Sequence, residues 1–333
     1  MRALVLTNGG LGNGMIIDPI LRAAGTLRFE FHHTYNAWLA ACSHQLSGLR
    51  GFVPSIWRRF HETADILAFL RKMEIDTVLN ARKEDRTRDT AYFEFKSELE
   101  RLGYSVFDLH DHRIPLDKPI GHQIAAMFRI ALPDLPPIDW SPLRHQPRGS
   151  AITFYVGASM LKKCPAPDLV RAVAARVAGE LKFSRIRIAA GILPFEFGLL
   201  TEYAEDPQLN LSIVRLNNLG DALDLVRGTK ILVTSDSFMS HLASLVGLNA
   251  ITVFTCTNGL VWRNNIQSMA DIIQSEIPLR CIRMKTDGTC TNFYERCSCS
   301  PGEDLLPDHW FRKIANLLES VACKPTRMST KAG

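Results

Sequence analysis

Residues 2–25 read RALVLTNGGLGNGMIIDPILRAAG. The apolar run ALVL reads as a strand, the glycine-rich elbow NGGLGNGM as a tight reversal, and IIDPILRAAG as a helix with apolar residues at helical spacing. A strand that enters a helix through glycines is the first unit of a parallel α/β sheet. The alternation continues outward from it. TLRFEFHH (26–33) is a strand with alternating faces, ETADILAFLRKM (62–73) a helix, IDTVLNA (75–81) a strand, YFEFKSELERLG (92–103) a helix and YSVFDL (104–109) a strand. Strands separated by helices predict a doubly wound parallel sheet.

The pattern breaks at ALPDLPPIDWSPLRHQPRGS (131–150), whose prolines can neither donate to a ladder nor continue a helix, so it reads as a linker. Beyond it come AITFYV (151–156), SRIRIAAG (184–191), NLSIVRL (210–216), KILVTS (230–235) and AITVFT (250–255) as strands, with helical segments between them. The expected organisation is two Rossmann-like doubly wound domains, residues 1–147 and 148–323, facing a cleft, then a tail at 324–333. The last helical segment, PDHWFRKIANLLESVA (307–322), could pack on either half.

Of 333 residues, 46% are hydrophobic and 22% charged, the balance of a folded globular chain with room for two cores. A net charge of +5 is too small a tilt to point to nucleic acid, and it fits an anionic substrate or contact with acidic lipid heads. No apolar run reaches the roughly 20 residues that span a bilayer, and no secretory signal opens the chain. The expected location is therefore the cytosol, at the inner face of the membrane if the acceptor is a lipid.

The elbow is not a dinucleotide fingerprint, because Gly10 and Gly12 are followed by Met15 where a third glycine belongs. Nor is it a P-loop, since no Gly-Lys-Ser/Thr follows. A ligand role and a plain tight turn both remain open for it, with the helix expected to begin near Gly14. A sharper constellation lies at 235–241. Ser235, Asp236 and Ser237 end a strand, and His241 falls one turn into the next helix. Hydroxyls, backbone donors and the positive end of a helix at one point suit a diphosphate.

This stretch resembles the signature of the ADP-heptose:lipopolysaccharide heptosyltransferases, glycosyltransferase family 9, in which a strand, D-[ST]-G-x-x-H-[LM]-A and a helix bind the nucleotide sugar. Asp236, Ser237, His241, Leu242, Ala243, Gly247 and Phe254 fall on that pattern; Phe238 stands where the family has glycine, and Asn249-Ala250 replaces a residue-proline pair. The opening is also similar, with Gly12 before a position that in the family holds the catalytic aspartate. Here it is Asn13, whose amide can orient a hydroxyl but cannot take its proton. Replacement bases by position are Asp18, Asp85, Asp89 and Asp111. The resemblance further implies a phosphate-contacting lysine at Lys162, with Lys163 beside it, and a ribose-binding glutamate at Glu196 or Glu202.

What the resemblance implies is a GT-B glycosyltransferase, inverting and needing no metal for catalysis. A nucleotide-diphosphate sugar, an ADP-sugar by preference, would lie on the second domain. A glycan, lipid-linked or protein acceptor would lie over the elbow. Two rivals stay open: a non-catalytic subunit that binds a nucleotide sugar or glycan, and a nucleotide-sugar hydrolase or epimerase. The elbow also bears a faint likeness to the G-x-G-N-Q turn of fucosyltransferases. Finally, Cys281, Cys290, Cys297 and Cys299 crowd into nineteen residues. Four thiolates could close a structural zinc or iron site, as the cysteine finger of the similar autotransporter heptosyltransferases holds iron; free thiols or a redox disulfide are the other readings.

Overall fold

The computed structural model describes residues 2–6, 11–24, 30–35, 52–54, 63–82, 90–115, 117–142, 149–191, 196–275 and 306–322. They form two parallel sheets. The first contains β1 (Arg2–Leu6), β2 (Glu30–Tyr35), β3 (Phe52–Pro54), β4 (Thr77–Asn80) and β5 (Ser105–Asp108), in the order β3-β2-β1-β4-β5. Its helices are α1 (Leu11–Ala24), α2 (Thr63–Lys72), α3 (Thr90–Arg101) and α4 (Ile120–Ala131).

The second sheet contains β6 (Ala151–Tyr155), β7 (Ile186–Gly191), β8 (Leu211–Leu216), β9 (Thr229–Ser235), β10 (Asn249–Phe254) and β11 (Ile272–Gln274), in the order β11-β10-β9-β6-β7-β8. Its helices are α5 (Pro167–Leu181), α6 (Glu196–Leu200), α7 (Leu219–Arg227), α8 (Phe238–Val246), α9 (Gly259–Trp262) and α10 (Pro307–Ala322). Every strand pairing is parallel. The strands β4, β6 and, past its first residue, β10 are buried without alternation because helices cover both faces of the sheet.

In each sheet the strand order reverses beside its first strand, between β1 and β4 and between β6 and β9. In open α/β sheets, ligands bind at the carboxyl ends of the strands flanking that reversal. The loops after β1, β6 and β9 are therefore where function is to be sought.

Two sequence expectations are revised, and one alternative that the sequence left open is decided. Helix α1 begins at Leu11, so Gly12, Asn13 and Gly14 belong to its first turn rather than to the loop. The proline-rich segment does not hang free, because Leu132, Leu135 and Ile138 are buried in the core with α1 and α4. Prolines stop that segment from joining a ladder, but they do not stop its apolar residues from packing. Helix α10 covers the second sheet only: Trp310, Phe311 and Ile314 enter the core against Val170, Val173 and Val177 of α5.

The largest apolar cluster runs through both halves. Met15, Ile16 and Ile20 of α1 and Ile124 and Phe128 of α4 share it with Met239, Leu242 and Leu245 of α8. Among the described residues no helix is long and apolar enough to cross a membrane. Asp85, Asp89, Cys281, Cys290, Cys297 and Cys299 lie outside the described residues.

Candidate functional site

At the reversal of the second sheet, three strand-end loops are tied together by side chains. The Ser235 hydroxyl, at the end of β9, donates to the Gly157 carbonyl beyond β6. Thr255, just past β10, donates to the Lys162 carbonyl at 2.8 Å. Asp236 Oδ2 accepts from Lys163 Nζ at 2.7 Å and from Thr257 Oγ1 at 2.6 Å. Hydrogen bonds that involve charged groups are the stronger ones, so this knot fixes the loops.

Ser235 and Asp236, read from the sequence as donor ligands, are thus turned inward and buried. Their polar atoms serve the scaffold. Left within reach of a ligand are the half-buried Ser237, Thr257 and Lys163, together with the head of α8. Ser237 caps that helix in extended backbone without a side-chain cap bond, and its hydroxyl lies 3.1 Å from Thr234 Oγ1. Of the two lysines, Lys163 is the one at the turn. Lys162 points into the protein and is 4% exposed. Successive residues of the 3-10 turn Leu161–Lys163 are rotated by about 120°, so neighbours in sequence cannot share a face.

Glu196 is also buried. Its Oε2 accepts from the Gly191 backbone N–H at 3.1 Å and lies 3.0 Å from the Tyr155 hydroxyl. Burial, with the Glu196 charge beside it, pushes the Tyr155 phenol far above its ordinary range, so it stays a donor. The Phe238 ring meets Tyr155 edge to face, with centroids 5.7 Å apart. Glu202 is exposed after α6.

His241 joins the two halves. Positions 237 and 241 are neighbours on one helix face, which puts the imidazole behind the Ser237 turn. Across from it lies the first turn of α1. A Cβ at position 12 would fall 2.9 Å from His241 Cδ2, a contact that only glycine allows. Burial drops the His241 pKa to about 4, with Asp236 opposing the shift and Lys163 adding to it, so the ring is neutral at physiological pH. A narrow crevice opens here, lined by Met15, Ile16, Trp140, His241, Ser244 and Asn264, among others. About 10 Å³ of it admits the centre of a water molecule, enough for one hydroxyl-sized group.

The candidate bases that lie within the described residues fall elsewhere. Asp18 has no exposed surface and accepts from Arg22 Nε at 3.1 Å; burial pushes its carboxyl up to about 6 against the Arg22 charge. It does not line the crevice, whose α1 wall is Met15, Ile16 and Pro19. Asp111 sits beyond β5, held far below the ordinary carboxylate range by the Arg113 side chain and backbone N–H. Neither is placed to meet a hydroxyl beside Gly12. The side chain of Asn13 is not among those described.

Residues 264 and 265 received no role from the sequence. Asn264 donates to the Ser240 carbonyl at 3.0 Å and accepts from the Gln267 backbone N–H at 2.9 Å, which fastens its loop to α8. The Asn265 side chain occupies the place of a Cβ on Gly121 of α4, so the halves touch at a second glycine. His122 packs against Trp140 with the rings tilted and their centroids 4.8 Å apart. A pair of asparagines just past the short helix α9 is the signal that could have drawn attention to this seam.

No protein-family model and no curated protein sequence matches the chain. Solved structures do share its fold. The E. coli heptosyltransferase WaaC with ADP superimposes with a TM-score of 0.62 at 15% identity, over 95% of this chain and 100% of that one. E. coli ADP-heptose lps heptosyltransferase II gives 0.62 at 16% identity, over 97% and 100%. A glycosyl transferase family 9 structure from Veillonella parvula DSM 2008 gives 0.63 at 14% identity, over 96% and 97%. The chain thus has the two-lobed, GT-B-like architecture of these proteins.

Proposed function

We propose that the chain is a glycosyltransferase that moves a sugar, heptose-like or other, from a nucleotide-diphosphate donor to a glycan, lipid-linked or protein acceptor, with inversion. One observation carries the reading. The helices that follow the strands at the two reversal points meet at their N-terminal ends, with Gly12 of α1 against His241 of α8. Such an arrangement brings a donor held on one lobe against an acceptor held on the other. Its electrostatics suit a diphosphate, since the Lys163 ammonium and the positive end of α8 stabilise charge that grows as the glycosidic bond breaks. An ADP-sugar is the preferred donor, from the sequence resemblance and from the ADP bound in a neighbour of the same fold.

The test is calorimetric binding of ADP-, GDP-, UDP- and dTDP-glucose, followed by turnover with and without glycan acceptors. One nucleotide should bind in preference, and Lys163→Met should weaken that binding about tenfold, the loss of one charge-assisted contact. Absence of binding across the panel refutes the reading. Binding without turnover supports the non-catalytic alternative, which the amide at position 13 favours.

A further inference from the structure

Transfer to a hydroxyl needs a group that accepts its proton, and neither Asp18 nor Asp111, the candidate bases within the described residues, lines the crevice beside Gly12. We propose that His241 is the general base, its imidazole taking the proton from the acceptor oxygen at the crevice beside Gly12. The inference rests on the glycosyltransferase reading above. Three observations carry it.

First, position. The ring lies against the first turn of α1, where a Cβ on Gly12 would be 2.9 Å from Cδ2 and 3.6 Å from Nε2. An oxygen entering between the lobes at that point comes within hydrogen-bond reach of the ring. Second, exclusivity. Among the described residues that line the crevice, His241 is the only titratable side chain; the rest of the lining is apolar or carries hydroxyl and amide groups. Third, availability. Asp236 Oδ2 and the Ser235 hydroxyl are held by protein partners, whereas the His241 imidazole makes no hydrogen bond among the described residues.

Basicity is adequate as well. A pKa of about 4 matches the roughly 3.9 of an ordinary aspartate, so the ring is as strong a base as the carboxylate it would replace, and it is deprotonated when the acceptor arrives. In the step itself the acceptor O–H bond breaks toward the imidazole nitrogen while the oxygen bonds to the anomeric carbon. The bond from that carbon to the diphosphate breaks, its electron pair leaving on the phosphate oxygen beside Lys163 and α8. The Asp236 charge favours the transient imidazolium, which then returns its proton to solvent.

Water can stand in for the unidentified acceptor, so the probe is ADP-glucose hydrolysis, measured alongside ADP binding for the intact protein, His241→Gln, Asn13→Asp and the double variant. His241→Gln should slow hydrolysis about 10²- to 10³-fold, the range for loss of a general base, with ADP affinity changed less than about threefold. The wild-type rate should be level above pH 5.5 and fall toward pH 4, and this acid limb should vanish in His241→Gln. Asn13→Asp should restore turnover in the His241→Gln background, which also shows that the variant folds. Unchanged hydrolysis in His241→Gln, a fall in ADP affinity equal to the fall in rate, or wild-type binding with no hydrolysis would overturn the assignment while leaving nucleotide-sugar binding intact. No ADP binding at all would instead fail the reading beneath it.

Discussion

Asp18 and His241 are both buried and both driven toward neutrality, yet they have different consequences. His241 gains from it, because a neutral imidazole can accept a proton. Asp18 is a burden. Its folded pKa of about 6 lies above the 3.8 of an ordinary aspartate, so between those values the folded state holds more protons than the unfolded one. Stability therefore falls as pH rises through that window, and above pH 6 the buried charge costs up to about 3 kcal/mol, the equivalent of two pKa units. Asp18→Asn removes the charge and keeps an acceptor for Arg22. Urea unfolding at pH 7.5 should show the variant more stable by about 2 kcal/mol, and the gain should shrink toward zero at pH 4.5. A constant difference at both pH values would mean that the carboxylate titrates normally. At this scale the sequence supplied the residue types: a histidine one turn past a Ser-Asp-Ser end, lysines after the first strand of the second half, and an amide where a carboxylate was wanted. What it could not supply was direction. Nothing in the letters says that Asp236 turns inward to Lys163, or that Lys162 faces the core while Lys163 faces the turn.

At the level of elements, long amphipathic segments were legible because their periodicity is a direct consequence of one-sided burial. Short ones were not. β3 and β11 have three residues each, too few for any period to emerge, and β3 ends in Pro54. Helix α4 has no place in the sequence reading, although Ile120, Ile124, Met127 and Phe128 recur at helical spacing. Helix α10 shows the other limit. Its stripe was evident in the sequence, but its partner was not. That partner is α5, through a buried Trp310, a Phe311 ring 4.1 Å beneath the Arg176 guanidinium, and an ion pair from Arg176 to Asp308. Trp310 is among the largest fully buried side chains, so Trp310→Ala should cost about 3–5 kcal/mol in urea unfolding. The loss should fall on the second sheet, followed by amide exchange of β6, β9 and β10, with β1 and β4 unaffected until global unfolding. Equal loosening of both sheets would show that α10 stabilises the lobes as one unit.

Across the whole molecule, the two sheets were foreseeable from alternation, but their meeting was not, because contacts between α1 and α8 or between Gly121 and Asn265 join segments more than a hundred residues apart. This meeting decides how a substrate enters. Among the described residues the crevice between α1 and α8 admits little more than a hydroxyl, so a nucleotide sugar that enters there requires the lobes to part. A protein whose binding-competent form is a minor population binds more weakly by that fraction, and a change that favours the open form recovers the loss. Gly121 is the place to make such a change. An alanine there would be met by rotation of the Asn265 amide, the far end of a flexible side chain, and should have little effect. A leucine is too large for that adjustment and must push α4 away from the 264–265 loop. Gly121→Leu should therefore raise the radius of gyration in small-angle scattering. ADP should associate several-fold faster in stopped flow, its dissociation rate little changed. Should the leucine variant keep both the compact scattering profile and the wild-type association rate, entry does not pass through separation at this seam.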